Sequence, residues 1–198
     1  MLTLAGTALL TGCGGGGSVG GASPLQPIVL NFDSLSGCNY LNGSPIPAAS
    51  RLSNQYVASY GIAFSSSGGY VAVTADPAAV SPPNAITGST ASGLVSYSPA
   101  DPITFTFFNP KNPTENAAVS MFAAYGDTDG TDPNNVTIQA YDVNDNLIGT
   151  YSTPDTGGEK LFFQFPTAVI HKVVFLGSSD SNGVSLDNVT FTPPVVPQ

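Results

Sequence analysis

The densest group of side chains that could carry chemistry is the acidic segment Asp127-Thr128-Asp129-Gly130-Thr131-Asp132. Its carboxylates stand two and three residues apart around a glycine, a pattern that can surround a hard cation such as calcium with oxygen ligands. The segment is not an EF-hand loop, because its glycine comes early and Ile138 stands where the bidentate glutamate should be. Two interpretations stay open: a calcium site at Asp127, Asp129 and Asp132, or an exposed hairpin loop between the flanking strands, which we prefer.

Tyr125 stands two residues before this acidic segment. A loop that combines an aromatic ring with carboxylates can hold the apolar face and the hydroxyl groups of a sugar. The chain has eight tyrosines but no tryptophan, the strongest stacking side chain, and this weakens a carbohydrate-binding hypothesis without removing it. Tyr125 is therefore the predicted ligand-binding residue.

No arrangement of residues in the sequence indicates catalysis. Cys38 would need a nearby base to act as a nucleophile, and His171 is the only histidine. A structural role is favoured for both, since free cysteines are mostly small buried hydrophobes. The motifs GxSxG and HExxH and the phosphate-binding loop are absent, and no pair of carboxylates stands out as a glycosidase pair. We therefore expect a protein that is not an enzyme.

The charge pattern limits the possible partners. The net charge is −9, and the four basic residues are scattered singly along the chain. Nucleic acid is excluded as an expected partner, because binding it requires clustered cations that replace counterions. Hydrophobic residues make up 41% of the chain, which is enough for a folded core rather than a disordered segment.

Short runs rich in Val, Ile, Phe, Tyr and Thr, separated by Gly, Pro, Asn, Asp and Ser, predict an all-β fold. Ile103, Phe105 and Phe107 alternate with Thr104 and Thr106, which places each set on one face of a strand. We predict one domain, an antiparallel two-sheet sandwich or jelly roll. Its strands are predicted at 28–32, 61–65, 69–74, 93–97, 103–107, 117–125, 136–142, 147–152, 160–165, 169–176 and 184–191.

Four local features complete this prediction. Residues 142–146 should form a tight hairpin, because Asn and Asp tolerate left-handed backbone conformations. Residues 48–60 could form one or two helical turns, and residues 76–92, which contain Pro82 and Pro83, are predicted to be a long loop. In the last strand, a bulge at Asp187-Asn188 would bring Val184, Leu186, Val189 and Phe191 onto one face.

The segment Leu10-Thr11-Gly12-Cys13 ends a short apolar run, and a Gly/Ser-rich stretch follows it. It resembles a bacterial lipobox, which implies cleavage before Cys13 and attachment of lipid to that cysteine. Residues 1–12 would then be a signal peptide and residues 13–26 a lipidated linker, with residues 27–192 as the domain and 193–198 as a proline-rich tail. The alternative is that residues 1–21 are a disordered tail in which the sequence LTGC occurs by chance. A signal peptide normally begins with a basic region, and no Lys or Arg precedes Cys13. In Gram-negative lipoproteins the residue after the lipidated cysteine influences sorting between the membranes. The resemblance therefore implies the outer membrane, because Gly14 rather than Asp stands at that position.

A second resemblance covers nearly all of residues 28–192. The chain resembles bacterial extracellular jelly-roll modules of the galactose-binding-like and carbohydrate-binding type, similar to domains of PEP-CTERM-sorted proteins. Such modules often hold a structural calcium between their first and last strands, and the matching positions here are Asp33 and Asp187. A backbone amide that donates to Asp187 is the alternative to a metal. The motifs that carry the resemblance are Leu30-Asn31-Phe32-Asp33, Ser81-Pro82-Pro83-Asn84-Ala85, Val136 to Asp142, and Leu186 to Phe191.

Together these features predict a lipid-anchored, non-catalytic module at the cell surface or in the periplasm, with a surface glycan as its possible partner. The alternative is a structural or adhesive surface protein that binds another protein and has no small-molecule ligand. Calcium is the one expected cofactor, and the membrane is contacted through the N-terminal lipid.

Overall fold

The computed structural model describes residues 26–39, 43–90, 96–128, 135–177 and 184–197. Helix is limited there to a 3₁₀ turn at Ala48–Ser50 and the short helix α1 at Val57–Tyr60. Neither of these helical segments is long and apolar enough to cross a membrane. The strands are β1 (Ile28–Leu30), β2 (Arg51–Leu52), β3 (Ile62–Ser65), β4 (Val71–Ala75), β5 (Asn84–Thr87), β6 (Ser89–Thr90), β7 (Ser96–Tyr97), β8 (Ile103–Asn109), β9 (Asn112–Asn116), β10 (Met121–Gly126), β11 (Asn135–Tyr141), β12 (Leu147–Pro154), β13 (Lys160–Gln164), β14 (Lys172–Phe175) and β15 (Leu186–Phe191).

These strands form two packed antiparallel sheets. The larger sheet has seven strands in the order β13-β10-β15-β5-β4-β2, with β1 also paired to β15. The smaller sheet has six strands in the order β12-β11-β14-β8-β3, with β9 also paired to β8. The short strands β6 and β7 pair only with each other. The predicted all-β, two-sheet antiparallel sandwich is therefore confirmed.

The core lies between the inner faces of the two sheets. The alternation along β8 is as predicted, because Ile103, Phe105 and Phe107 are fully buried while the threonines between them are half-buried. Aromatic rings join the sheets: Phe105 of β8 lies 5.0 Å from Phe122 of β10, and Phe107 lies 5.3 Å from Phe191 of β15, measured between ring centroids. Apolar burial of this kind is the main force that holds two sheets face to face.

The last strand contains the predicted bulge. Ala123 of β10 pairs with Thr190, but Tyr125, two residues further along, pairs with Asp187, three residues back. The extra residue is Asn188, which takes a left-handed conformation with φ of 48°. The bulge keeps Leu186 and Val189 in the core and turns Asp187 to the outer face of the larger sheet.

Two predictions about connections are wrong. Residues 76–92 are not one long loop, because β5 and β6 lie within them. Every residue of β5 is buried, so the strand shows no polar alternation that would have revealed it. The segment after Tyr125 is not a hairpin loop either, because β10 and β11 belong to different sheets and the chain passes from one to the other.

Two other local predictions are confirmed. In the turn after β11, Asp142 Oδ1 accepts the backbone N–H groups of Asn144 and Asn146, and Asp145 has a φ of 61°. Residues 48–60, where one or two helical turns were predicted, contain the 3₁₀ turn and α1, with β2 between them. Residues 93–95 of the strand predicted at 93–97 lie outside the described residues.

Candidate functional site

Tyr125 lies on the outer face of the larger sheet. Phe122 and Ala124 of the same strand are fully buried toward the other sheet, so alternation turns Tyr125 outward, where it is half-buried. Its neighbours on either side are Lys160 of β13 and Asp187 of β15. The side chain predicted to bind a ligand therefore stands between a cation and a carboxylate.

A second ring lies beside Tyr125. Phe162 points outward from β13 and is half-buried, because Leu161 and Phe163 on either side of it point into the core. The Lys160 ammonium lies 5.9 Å from the centroid of the Tyr125 ring and 5.0 Å from that of Phe162. We call Tyr125 and Phe162 the ring pair. Its faces attract an ammonium because aromatic rings carry negative charge on their faces.

Ser81 brings Asp33 and Asp187 together. Its backbone N–H donates to Asp187 Oδ2 at 2.6 Å, and its hydroxyl donates to Asp33 Oδ2 at 2.9 Å. Asp187 Oδ1 accepts the backbone N–H of Asn188 at 2.6 Å, and Asp33 Oδ2 also accepts the Asn31 side-chain amide at 2.7 Å. Asp187 is only 1% exposed, and both of its oxygens thus accept backbone amides, the alternative to a metal that the sequence left open.

Ser185 joins two further aspartates. Its hydroxyl donates to Asp76 Oδ2 at 2.5 Å, and its backbone N–H donates to Asp127 Oδ2 at 2.8 Å. Asp76 Oδ1 also accepts the backbone N–H of Ala78 at 2.9 Å, which fixes the start of the segment between β4 and β5. We call Asp33, Asp76, Asp127 and Asp187 the acid cluster. The sequence placed two of these residues in one predicted site and one in another, and the structure gathers them at one end of the larger sheet.

The electrostatics of the acid cluster are unusual at Asp187. Burial raises the pKa of this carboxyl from 3.8 to about 6, and repulsion from Asp33 and Asp76 adds to that effect. The amides of Asn188 and Ser81 act in the opposite direction because they favour the charged form. At neutral pH the cluster therefore holds a carboxylate in a place where its negative charge is costly.

The described residues do not complete a metal site. Asp33 Oδ1 is buried and has no hydrogen-bond partner among them, and the cluster supplies the oxygen atoms that calcium prefers. However, no three Asp, Glu, His or Cys side chains in the described ranges are arranged to hold one metal ion. Asp129 and Asp132 of the predicted calcium loop lie outside those ranges, as does Cys13. Calcium binding stays a prediction.

Glu159 precedes Lys160 and lies on the inner side of the larger sheet. Its two carboxylate oxygens are buried and have no hydrogen-bond partner in the described part of the chain. A side chain on Gly126 would overlap this carboxylate. Burial raises the pKa of Glu159, although nearby backbone amides partly offset this, and the charge of Asp155 raises the pKa further.

His171 and Cys38, the two residues considered for nucleophilic chemistry, are both buried in the fold. His171 is buried, its Nδ1 lies 2.8 Å from the carbonyl oxygen of Ala117, and its ring packs edge-on against Phe108. Cys38 is buried against β4, where its backbone pairs with that of Thr74 in an isolated parallel β-bridge. Burial raises the pKa of its thiol. A raised pKa leaves less of the reactive thiolate at neutral pH.

A concavity lies between α1 and β9. It has a volume of about 330 Å³ and is lined by Asn54, Val57, Ala58, Phe108 and Pro113. Asn54 is the one polar side chain in that lining, whereas ligand sites generally combine apolar walls with several convergent polar groups. The face around Tyr125 has that combination, and we take it as the candidate site.

Sequence reasoning missed several residues of the candidate site. Ser81 was missed because its partners Asp33 and Asp187 are 48 and 106 positions away along the chain. Ser185 and Asp76 were missed because they are 109 positions apart, and no local pattern reveals such contacts. Phe162 could have been found, because the alternation of Lys160, Phe162 and Gln164 with two buried residues marks the outward face of β13.

The fold and this face define an antiparallel β-sandwich that carries an aromatic and acidic site on the open side of one sheet. No family model and no curated protein matches the chain. Solved structures of similar fold include the CBM22-1–CBM22-2 tandem domain from Paenibacillus barcinonensis Xyn10C, with 15% identity, a TM-score of 0.45 and coverage of 89% of this chain. This chain spans about half of that tandem, at 48%.

Two other solved structures are similar over most of their own length. The K2 cleaved adhesin domain of Lys-gingipain is 9% identical with a TM-score of 0.42, and the match covers 84% of this chain and 97% of that one. The GH31 CBM32-2 module bound to GalNAc is 13% identical with a TM-score of 0.38, over 86% of this chain and 99% of that one. These likenesses concern the fold alone.

Proposed function

We propose that this chain is a lipid-anchored, non-catalytic surface module that binds glycan on the outer face of the larger sheet. The observation that carries the proposal is the ring pair, two half-exposed aromatic rings that share one face with hydrogen-bonding side chains. A sugar ring has an apolar C–H face and polar edges, so aromatic rings beside carboxylates and hydroxyls suit both. The ring pair supplies the first kind of contact, and Asp33 with Ser81 supplies the second.

The experiment is a glycan array probed with the full chain, followed by affinity measurements on two matched variants. Tyr125→Ala is expected to weaken binding about fivefold, the loss expected when a stacking contact of roughly 1 kcal/mol is removed. Tyr141→Ala is the control, because the Tyr141 ring also lies under a lysine, 4.6 Å from Lys172 Nζ, but on the smaller sheet. It should leave affinity unchanged.

Two results would contradict this proposal. Equal loss in both variants would show that Tyr125 has no special role in glycan binding. Absence of binding to any glycan, combined with binding to a surface protein, would favour the structural or adhesive alternative.

The lipid anchor is proposed from the lipobox resemblance at Cys13. Expression in a bacterial host with labelled fatty acid should label the wild-type chain and not Cys13→Ser. Cys38→Ser is the control, since Cys38 is buried in the fold and should not affect labelling. Labelled protein is expected in the outer-membrane fraction. Equal labelling of wild type and Cys13→Ser would refute the anchor.

Calcium is proposed as a structural ion at the acid cluster. Asp33 Oδ1 supports this proposal, because a buried carboxylate oxygen without a partner favours a bound cation. The melting temperature of the full chain should rise when calcium replaces a chelator, and Asp33→Asn should reduce that rise. A melting temperature that does not respond to calcium would refute the proposal.

A further inference from the structure

The ring pair is shaped to hold a positively charged group. Lys160 places its ammonium over both rings, at 5.9 Å and 5.0 Å from their centroids. Lys160 itself is exposed, so this ammonium lies at the surface, where another cation can replace it. The Lys160 ammonium is therefore an example, within the chain itself, of the cation that the ring pair attracts.

Three carboxylates of the acid cluster lack a basic partner in the described part of the chain. All four Lys and Arg residues of the chain lie in the described ranges, and the one ion pair found there joins Lys172 to Asp145. Asp33, Asp76 and Asp187 therefore have no basic partner within the described ranges, and their mutual repulsion contributes to the raised pKa of Asp187. Asp33 Oδ1 in addition has no hydrogen-bond partner there. Negative charge without a counter-charge thus lies next to rings that attract cations.

The ring pair and the carboxylates without a basic partner should give different affinities for three classes of glycan. An acidic glycan would be repelled by the cluster and by the net charge of −9. A neutral glycan would gain the ring contact alone. A glycan with ammonium groups would gain the ring contact, the cation–π attraction and the field of the carboxylates together.

We infer that the ring pair and the acid cluster recognise a glycan that carries free amino groups, of the glucosamine oligosaccharide class. This inference rests on the proposed glycan-binding function and names the chemistry of its ligand. The sugar ammonium takes the place of the Lys160 ammonium over Tyr125 and Phe162. Asp187 is the β15 partner of Tyr125, and Ser81 links Asp33 to it, so the charge of both carboxylates acts on that ammonium.

The test compares a glucosamine oligosaccharide with the N-acetylated oligosaccharide of the same length, in which each amine is capped and carries no charge. Titration calorimetry of the full chain at physiological salt, with chelator present so that calcium plays no part, should give about tenfold tighter binding of the free amine. Asp33→Asn should reduce this preference, whereas Asp101→Asn, the same charge change elsewhere on the chain, should leave it intact. Lys160→Gln should strengthen binding of the free amine, because it removes a competing ammonium.

The outcomes separate the inference from the function on which it rests. Equal affinity for the two oligosaccharides, or equal effects of Asp33→Asn and Asp101→Asn, would overturn the amino-sugar inference and leave glycan binding standing. Weaker binding of the free amine in Lys160→Gln would overturn it as well. If neither these oligosaccharides nor any arrayed glycan binds, the proposed function fails and the inference fails with it. Thermal unfolding of each variant verifies that it is folded.

Discussion

Asp187 should make the domain more stable as the pH falls from neutral toward 5. Its pKa is about 6 in the folded chain and 3.8 as the ordinary value, so the folded state binds the proton more tightly than the unfolded state does. Protonation therefore favours folding, and this contribution is complete below pH 3.8 and lost as the pH rises through 6.

The size of the effect follows from the two pKa values. Between pH 7.5 and pH 5, linkage gives about 1.4 kcal/mol of added stability from this one carboxyl, or roughly 4 °C in melting temperature for a domain of this size. Asp142 and Asp145 contribute little in this range, because their pKa values lie below normal and they are ionised in both states. Glu159, whose pKa is raised, acts in the same direction as Asp187.

The assay is urea unfolding at several pH values for wild type and Asp187→Asn. The amide in this variant keeps one oxygen to accept a backbone N–H and has no proton to titrate. The variant should therefore gain about 1.4 kcal/mol less than wild type on going from pH 7.5 to pH 5. Asp101→Asn should keep the wild-type pH dependence. The reasoning is refuted if Asp187→Asn and wild type show the same pH dependence of the free energy of unfolding.

Three further predictions concern the fold. Gly61→Ala should destabilise the domain by about 2 kcal/mol more than Gly69→Ala in urea unfolding, because both glycines have positive φ but only a Cβ at Gly61 would overlap backbone of β8; equal losses would contradict this. Phe105→Ala, at a fully buried ring between the sheets, should cost about 4 kcal/mol by the same measurement, and a loss below about 1 kcal/mol would mean that the core is not packed as described. In a Cys13→Ser background, Cys38 should react with a thiol reagent only after denaturant is added, and rapid reaction of the folded chain would contradict its burial.

The sequence predicted what depends on local pattern. The alternation along β8, the bulge at Asn188 and the turn at Asp142 are each encoded within a few neighbouring residues, and the structure contains all three. β5 was missed because a strand that is buried on both faces has no alternation to detect.

The candidate site was only partly predictable. Asp127 and Tyr125 were identified from residue type and position, and Asp33 and Asp187 from the resemblance to jelly-roll modules, but their meeting place depends on contacts between distant segments. Ser81 and Ser185 create those contacts, and a serine in a loop gives no sign of which carboxylate it will reach.

If the chain is anchored at Cys13, a force on the anchor would act first on the pairing of β1 with β15. Only the residue pairs from Ile28↔Phe191 to Leu30↔Val189 attach β1 to its sheet, and the tether to the membrane would pull on its first residue. Tension between a membrane and a bound surface would load this three-residue strand before the rest of the sandwich. Asp33 lies three residues beyond β1, in a segment where the side-chain amide of Asn84 donates to the carbonyl oxygens of Phe32 and Leu35, so these bonds would keep Asp33 beside Ser81 while β1 peels.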